Sequence, residues 1–242
     1  MDHATEVKIA QTPQKVYTQI AQSIIALTQE SNQAMFDIAL SGGNSPKGLF
    51  EKLSSEYKDA IPWNRIRFWW GDERCVPPTD EQSNYKMTVD FLLSKVQIPA
   101  ENIQRIRGEE TPEAEAKRYA KALKNTLKLS DGLPVFDLII LGLGDDGHTA
   151  SIFPNQMKLM NTSDICAVAR HPDSGQQRIT ICGKVLNNAK RVYFLVTGEN
   201  KAMRVSEIMN DKEAARLLPA YHIAPHNGKL VWYLDEAAAS LI

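Results

Sequence analysis

The sequence predicts an α/β protein: a largely parallel sheet with helices on both faces, built as a single domain over residues 1–242. Three observations predict it. Apolar runs of strand length alternate with segments of helical period along the whole chain. One run, residues 136–141 (FDLIIL), is almost wholly apolar, as a strand covered on both faces should be. The chain also has 242 residues, 43% hydrophobic and 24% charged, with no repeat, low-complexity tract or linker to divide it.

The elements follow in order. Val16, Ile20, Ile24 and Leu27 mark one face of a first helix. Residues 35–40 read as a strand, and Leu49, Leu53 and Tyr57 mark the helix after it. Residues 66–70 are the next strand, and Ala116, Ala120, Leu123 and Leu127 a third helical stripe. Residues 136–141, 191–196 and 230–234 complete the strands. Thr12-Pro13, Ser45-Pro46 and Thr111-Pro112 each offer a hydroxyl as N-cap and a proline for the first turn. Residues 170–177 (RHPDSGQQ) read as the most flexible loop.

Composition excludes several classes. Lys plus Arg number 28 and Asp plus Glu 29, a net charge of −1. Bulk nucleic-acid and anionic-membrane binding need a basic field that is absent here, so neither partner is expected. A small anion held by a few local cations remains open. The best apolar stretch, residues 133–143, is cut by Asp137 and falls short of the roughly 18 residues of a membrane span. The opening MDHATEVKIAQTPQ has no basic-then-apolar leader, so a cytoplasmic protein is expected. Cys75, Cys166 and Cys182 are odd in number and form no C-x-x-C pair, which reads as three reduced thiols. No histidine pair has metal-ligand spacing, and no metal site is expected.

In open α/β sheets ligands bind at the carboxyl ends of the strands. Four polar segments fall there: SGGNSP after residue 40, Gly71-Asp72-Glu73-Arg74 after residue 70, GLGDDGH after residue 141, and Thr197-Gly198-Glu199-Asn200-Lys201 after residue 196. In the first, Gly42 and Gly43 permit close backbone approach, and the helix opening near Pro46 aims free N–H groups at an anion. The alternative is a strand-to-helix turn that simply needs glycine. Gly142, Gly144 and Gly147 imitate a dinucleotide fingerprint, with Asp164 twenty residues beyond Gly144. Asp145 and Asp146 oppose that reading, because they put negative charge where a pyrophosphate would rest.

His148 is the candidate base. It lies in a polar loop beside Asp146, and a neutral imidazole can take a proton at pH 7. Its bland alternative is a structural hydrogen bond. His3, His171, His222 and His226 lack comparable context. Arg74 reads either as a surface ion pair with Asp72 or Glu73, or as a bidentate anion clamp. Lys201 offers a point charge to the same anion, or is a solvated lysine. Trp63, Trp69 and Trp70 read as core, because no basic stripe accompanies them.

The segments ALSGGNSP, WWGDERCVPPTDEQSNY, DLIILGLGDDGHTASIFP, RITICGKVLNNA, VTGENKA and PHNGKLVWYLDEAAA together resemble the 6-phosphogluconolactonases, in the order found there. The similarity runs from about Ala39 to Ala239. It implies a Rossmann-like α/β fold shared with glucosamine-6-phosphate deaminases. It also implies hydrolysis of 6-phospho-D-glucono-1,5-lactone to 6-phospho-D-gluconate in the oxidative branch of the pentose phosphate pathway, as a carboxylic ester hydrolase without metal or cofactor. By motif, His148 matches the general base and Asp146 its acidic neighbour. Gly42, Gly43, Asn44, Asp72, Arg74, Arg178 and Lys201 match positions around phosphate and sugar. Asn44-Ser45 stands where Ser-Thr is commoner. Arg178 opens a strand, the wrong edge of a parallel sheet. It reaches the site only if that strand runs antiparallel or its loop folds over.

The expected chemistry is attack of water on the lactone carbonyl with His148 taking the proton, the oxyanion facing backbone N–H groups near the glycine loop. No G-x-S-x-G elbow suggests a covalent intermediate. The expected partner is a phosphorylated sugar lactone, handled by a monomer or a weak homo-oligomer. A deaminase or isomerase on the same fold is the nearest rival, using Asp72 as proton shuttle. Its D-E-Y and D-G-H-I-A-F-N-E-P patterns are replaced here by Asp72-Glu73-Arg74 and DGHTASIFP. A sugar-phosphate sensor without catalysis is the rival from another class.

Overall fold

The computed structural model describes residues 5–242, so His3 lies outside it. In chain order the first half comprises β1 (Glu6–Ala10), α1 (Pro13–Glu30), β2 (Phe36–Leu40), α2 (Asn44–Ser55), β3 (Ile66–Trp70), β4 (Asp72–Arg74), α3 (Asn84–Phe91) and α4 (Pro112–Thr126). The second half comprises β5 (Leu129–Ser130), β6 (Leu133–Pro134), β7 (Leu138–Leu141), α5 (Lys158–Asn161), β8 (Cys166–Arg170), β9 (Gln177–Ile181), α6 (Gly183–Leu186), β10 (Arg191–Val196), α7 (Ala202–Met209) and β11 (Lys229–Asp235).

The central sheet has six parallel strands in the order β1-β11-β10-β7-β2-β3. All five strands expected from the sequence belong to it. β3 and β10 have the expected bounds, and β7 begins two residues late because Asp137 ends the apolar run on its amino side. That carboxylate is buried at the foot of the sheet. It accepts from the Asp37 N–H at 2.9 Å and from Lys190 Nζ at 2.6 Å, tying β2 to the start of β10.

The strand period places the helices. Trp69 and Trp70 point to opposite faces of β3. The Trp70 ring meets Tyr85 of α3, and Trp69 meets Tyr119 of α4, so the two faces carry α3 and α4 respectively. Both indoles are fully buried, and Trp63 is 8% exposed, as core residues. β3 is an edge strand, and edges must be covered. The Tyr119 hydroxyl does so, accepting from the Trp70 N–H at 2.9 Å and donating to its carbonyl at 3.0 Å.

The helical stripes hold with small corrections. Val16, Ile20 and Ile24 are buried on α1, but Leu27 is half-buried; Tyr57 lies beyond the end of α2. Of the three hydroxyl caps, only Thr12 accepts a first-turn N–H, that of Lys15. Thr111 caps α4 by position without a side-chain bond. Ser45 is not a cap: α2 starts at Asn44 with Gly43 as N-cap, which frees the Ser45 hydroxyl to meet Thr197 Oγ1 at 2.6 Å.

A second sheet, β4-β9-β8, is antiparallel and was not expected from the sequence. Residues 71–74 were expected as loop. Instead Gly71 leaves β3, donating to the Leu40 carbonyl and accepting from the Ile181 N–H, and Asp72–Arg74 pairs with β9. Residues 170–177, expected as the flexible loop, make the turn of the β8–β9 hairpin, closed by His171 and Gln176. Among the described residues no helix is long and apolar enough to cross a membrane.

Candidate active site

A cleft of about 470 Å³ opens where β2, β7 and β10 end and β4 and β9 pass beside them. Gly42, Gly43, Asn44, Asp72, Arg74, His148, Arg178 and Lys201 all line it. Asp146 stands behind His148 and reaches the cleft through it. The four polar segments thus converge because three come from parallel strands and the fourth enters as β4.

The His148 side chain is held on several sides. Its Nδ1 lies 2.5 Å from Asp146 Oδ1, which also accepts the His148 N–H at 3.1 Å. The ring packs on the buried Phe153, with centroids 4.7 Å apart. A Cβ at Gly144 would fall 2.1 Å from His148 Nδ1, so only glycine lets the imidazole lie on the turn. Burial would push the Asp146 carboxyl up, but the hydrogen bond and charge of His148 outweigh it and hold it down at about 2. Asp146 is therefore anionic at neutral pH, and it fixes the tautomer with the proton on Nδ1.

The cations are arranged by the small sheet. Arg178 is the second residue of β9, and because β9 runs antiparallel to β4 it stands opposite Arg74. The antiparallel condition under which Arg178 reaches the site is thus met. The Nε of each guanidinium is buried without a hydrogen-bond partner. Arg74 Nη1 is anchored to the Gln82 carbonyl, and the Arg178 guanidinium lies over the Phe153 ring at 5.6 Å. Burial, and next the charge of Arg74, lower the Arg178 value below that usual for arginine.

Arg74 is not in the surface ion pair that its neighbours suggested. The Glu73 carboxylate, 2% exposed, accepts from the N–H groups of Arg74, Asn84 and Tyr85 and from the Ser83 hydroxyl, and so caps α3. Asp72 is buried too. Its carboxylate accepts from Ser151 Oγ at 2.6 Å, and Asn84 Nδ2 donates to its carbonyl at 2.9 Å. At the other rim Lys201 pairs with Asp145. The first-turn N–H groups of α2 have no intrahelical acceptor and open on the cleft beside Gly43 and Asn44.

Sequence reasoning missed Asn84 and Tyr17 as lining residues, whereas Ser45, Asp145, Thr197 and Asn200 lie in the polar segments it placed at this edge, without a role assigned to them. Asn84 had one readable signal, its place directly after a serine N-cap. It lies so close that a Cβ at Gly42 would sit 1.8 Å from its Oδ1, which is why that loop needs glycine there. Tyr17 had no signal, because the apolar stripe of α1 absorbs it.

The family described as glucosamine-6-phosphate isomerases/6-phosphogluconolactonase matches residues 11–232. The chain belongs to this family. Among relatives of this family, the 6-phosphogluconolactonase of Aggregatibacter actinomycetemcomitans is 44% identical over 232 residues, covering 96% of this chain and 97% of that one. A crystal structure of a devB protein superposes with a TM-score of 0.94 at 43% identity, covering 99% of this chain and all of that one. The 6-phosphogluconolactonase of Trypanosoma brucei superposes at 0.86 with 28% identity, each chain 99% covered. The Rossmann-like α/β class expected from the motifs is the fold these family members share.

Proposed function

We propose that the chain hydrolyses 6-phospho-D-glucono-1,5-lactone to 6-phospho-D-gluconate, the ester-opening step of the oxidative pentose phosphate pathway. The observation that carries the proposal is one cleft holding an Asp146-oriented imidazole together with two buried, partnerless guanidinium nitrogens. The first suits proton abstraction from water, the second a phosphate dianion. The relatives at 40–44% identity carry the name of this activity.

In this reading Arg74, Arg178, Lys201 and the amino end of α2 hold the phosphate, and Asp72 and Asn84 face the sugar hydroxyls. Holding the phosphate fixes the lactone carbonyl relative to His148, and orientation of this kind removes much of a barrier. His148 Nε2 takes a proton as water adds to the carbonyl. Asp146 keeps Nδ1 protonated and stabilises the imidazolium that forms. Backbone N–H groups near the glycine loop that the phosphate leaves free face the developing oxyanion. The imidazolium then returns its proton to the ring oxygen as the C–O bond breaks, releasing the hydroxyl and a carboxylic acid, which ionises to the carboxylate with its proton passing to water.

The test is lactone hydrolysis, with the lactone generated by glucose-6-phosphate dehydrogenase and its product coupled to 6-phosphogluconate dehydrogenase. The spontaneous rate is subtracted. Wild type should accelerate hydrolysis, and His148→Ala should lose about 10²- to 10⁴-fold in kcat with little change in KM. Acceleration that survives in the variant removes His148 as base. No acceleration by folded wild type sinks the lactonase reading and turns attention to ammonia release from glucosamine-6-phosphate.

A further inference from the structure

Asp145 sets a carboxylate against the cations of the cleft. It sits on the rim, and its carboxylate accepts from Lys201 Nζ and from Asn200 Nδ2, the latter at 3.0 Å. The pair bridges the loops that leave neighbouring parallel strands, β7 and β10. The Asp145 side chain is 75% exposed and that of Lys201 only 20%. The hydrogen bond from Lys201 lowers the Asp145 carboxyl from its ordinary value, and the charge of Lys201 adds to this. A phosphate ester entering the cleft therefore meets a lysine whose charge is already taken.

The bond can be exchanged without disturbing the chemistry. An exposed ion pair is worth little and is readily given up, whereas a phosphate dianion brings a larger charge to the same ammonium. The Asp145 backbone is held separately, its carbonyl accepting from Arg204 Nε at 2.9 Å. The turn that carries Asp146 and His148 thus stays tethered when the carboxylate lets go.

Resting on the phosphate-binding reading of the cleft, we propose that Asp145 is a built-in competitor for Lys201. It holds the lysine in the free protein, yields it to the phosphate of an entering sugar ester, and takes it back as product leaves. Asp145 thereby weakens binding of every phosphate ester equally at the Lys201 end, which speeds release and leaves selection among esters to the sugar contacts.

The experiment is calorimetric titration of 6-phospho-D-gluconate, and separately of inorganic phosphate, into wild type, Asp145→Asn, Lys201→Met and the double variant. Melting temperatures establish that each is folded. Asp145→Asn should tighten both ligands by about two- to fivefold, less at high salt. The gain should vanish in the Lys201→Met background. Unchanged binding in Asp145→Asn, or a gain that persists without Lys201, overturns the proposal. Weaker binding overturns it too, and makes Asp145 a residue that positions Lys201 for the phosphate. Failure of wild type to bind either ligand removes the phosphate reading itself, and this proposal with it.

Discussion

Arg74 and Arg178 stand opposite each other in the register of β4 and β9, two cations on one face of an antiparallel pair. Like charges placed this way repel, and partial burial of the pair adds a desolvation cost. Each Nε is buried and unpaired. The arrangement costs the free protein stability and suits an anion with several acceptor oxygens, which gains two forked donors at once.

That relationship makes a divided prediction for Arg178→Met. Removing one of two half-buried like charges should leave the melting temperature of the free protein unchanged or raised. The same change should raise KM by about tenfold to a hundredfold, as loss of a charge-assisted bond does. Thermal melts with and without phosphate check both halves, because the stabilisation by phosphate should shrink in the variant. Arg74→Ala should likewise act mainly on KM, and an unchanged KM would mean that Arg74 serves only to anchor the Gln82 loop.

Asp146→Asn tests the orientation of the base. The amide donates where the carboxylate accepted, so the imidazole loses its fixed tautomer, and kcat should fall by about 10²- to 10⁴-fold with KM little changed. The same residue makes a stability prediction. Its carboxyl is held at about 2, below the ordinary 3.8, so its contribution is present above 3.8 and lost as pH falls through about 2. The difference in melting temperature between wild type and Asp146→Asn should shrink as pH falls from about 4 toward about 2. Melts over a pH series check this.

Gly144→Ala tests the bed of the imidazole. The added methyl would meet His148 Nδ1 at 2.1 Å and Asp146 Oδ1 at 2.7 Å, so the pair must shift. A displacement of about 1 Å at a base is enough to cost about a hundredfold in kcat. Gly142→Ala, two residues earlier, meets nothing within 4 Å, and its melting temperature should match that of wild type. Steady-state kinetics and melts on the two variants separate a contact at His148 from a general intolerance of the loop.

Much of the site was legible in the chain. His148 could be singled out because it ends a glycine-rich loop after an apolar strand. The SGGNSP loop and Lys201 could be placed because carboxyl ends of parallel strands share one edge. The ion-pair alternative for Arg74 fails at Glu73: adjacent charges in sequence suggest such a pair, but residue 73 faces α3 and its carboxylate finds backbone donors there. Residues 170–177 looked mobile because Pro, Asp, Ser and Gly favour turns, and a hairpin turn uses the same residues.

By itself the sequence determined five of the six strands of the central sheet, the helical stripes between them and the edge on which the polar loops gather, because periodicity and burial are local properties of the chain. Only the tertiary structure decided what those loops do to one another. The antiparallel pairing that sets Arg178 beside Arg74 joins residues about a hundred positions apart in β4 and β9. The contact between Asp145 and Lys201 depends on β7 and β10 being neighbours in the sheet. Strand order and direction follow from how whole layers bury their apolar faces, and no local pattern carries that information.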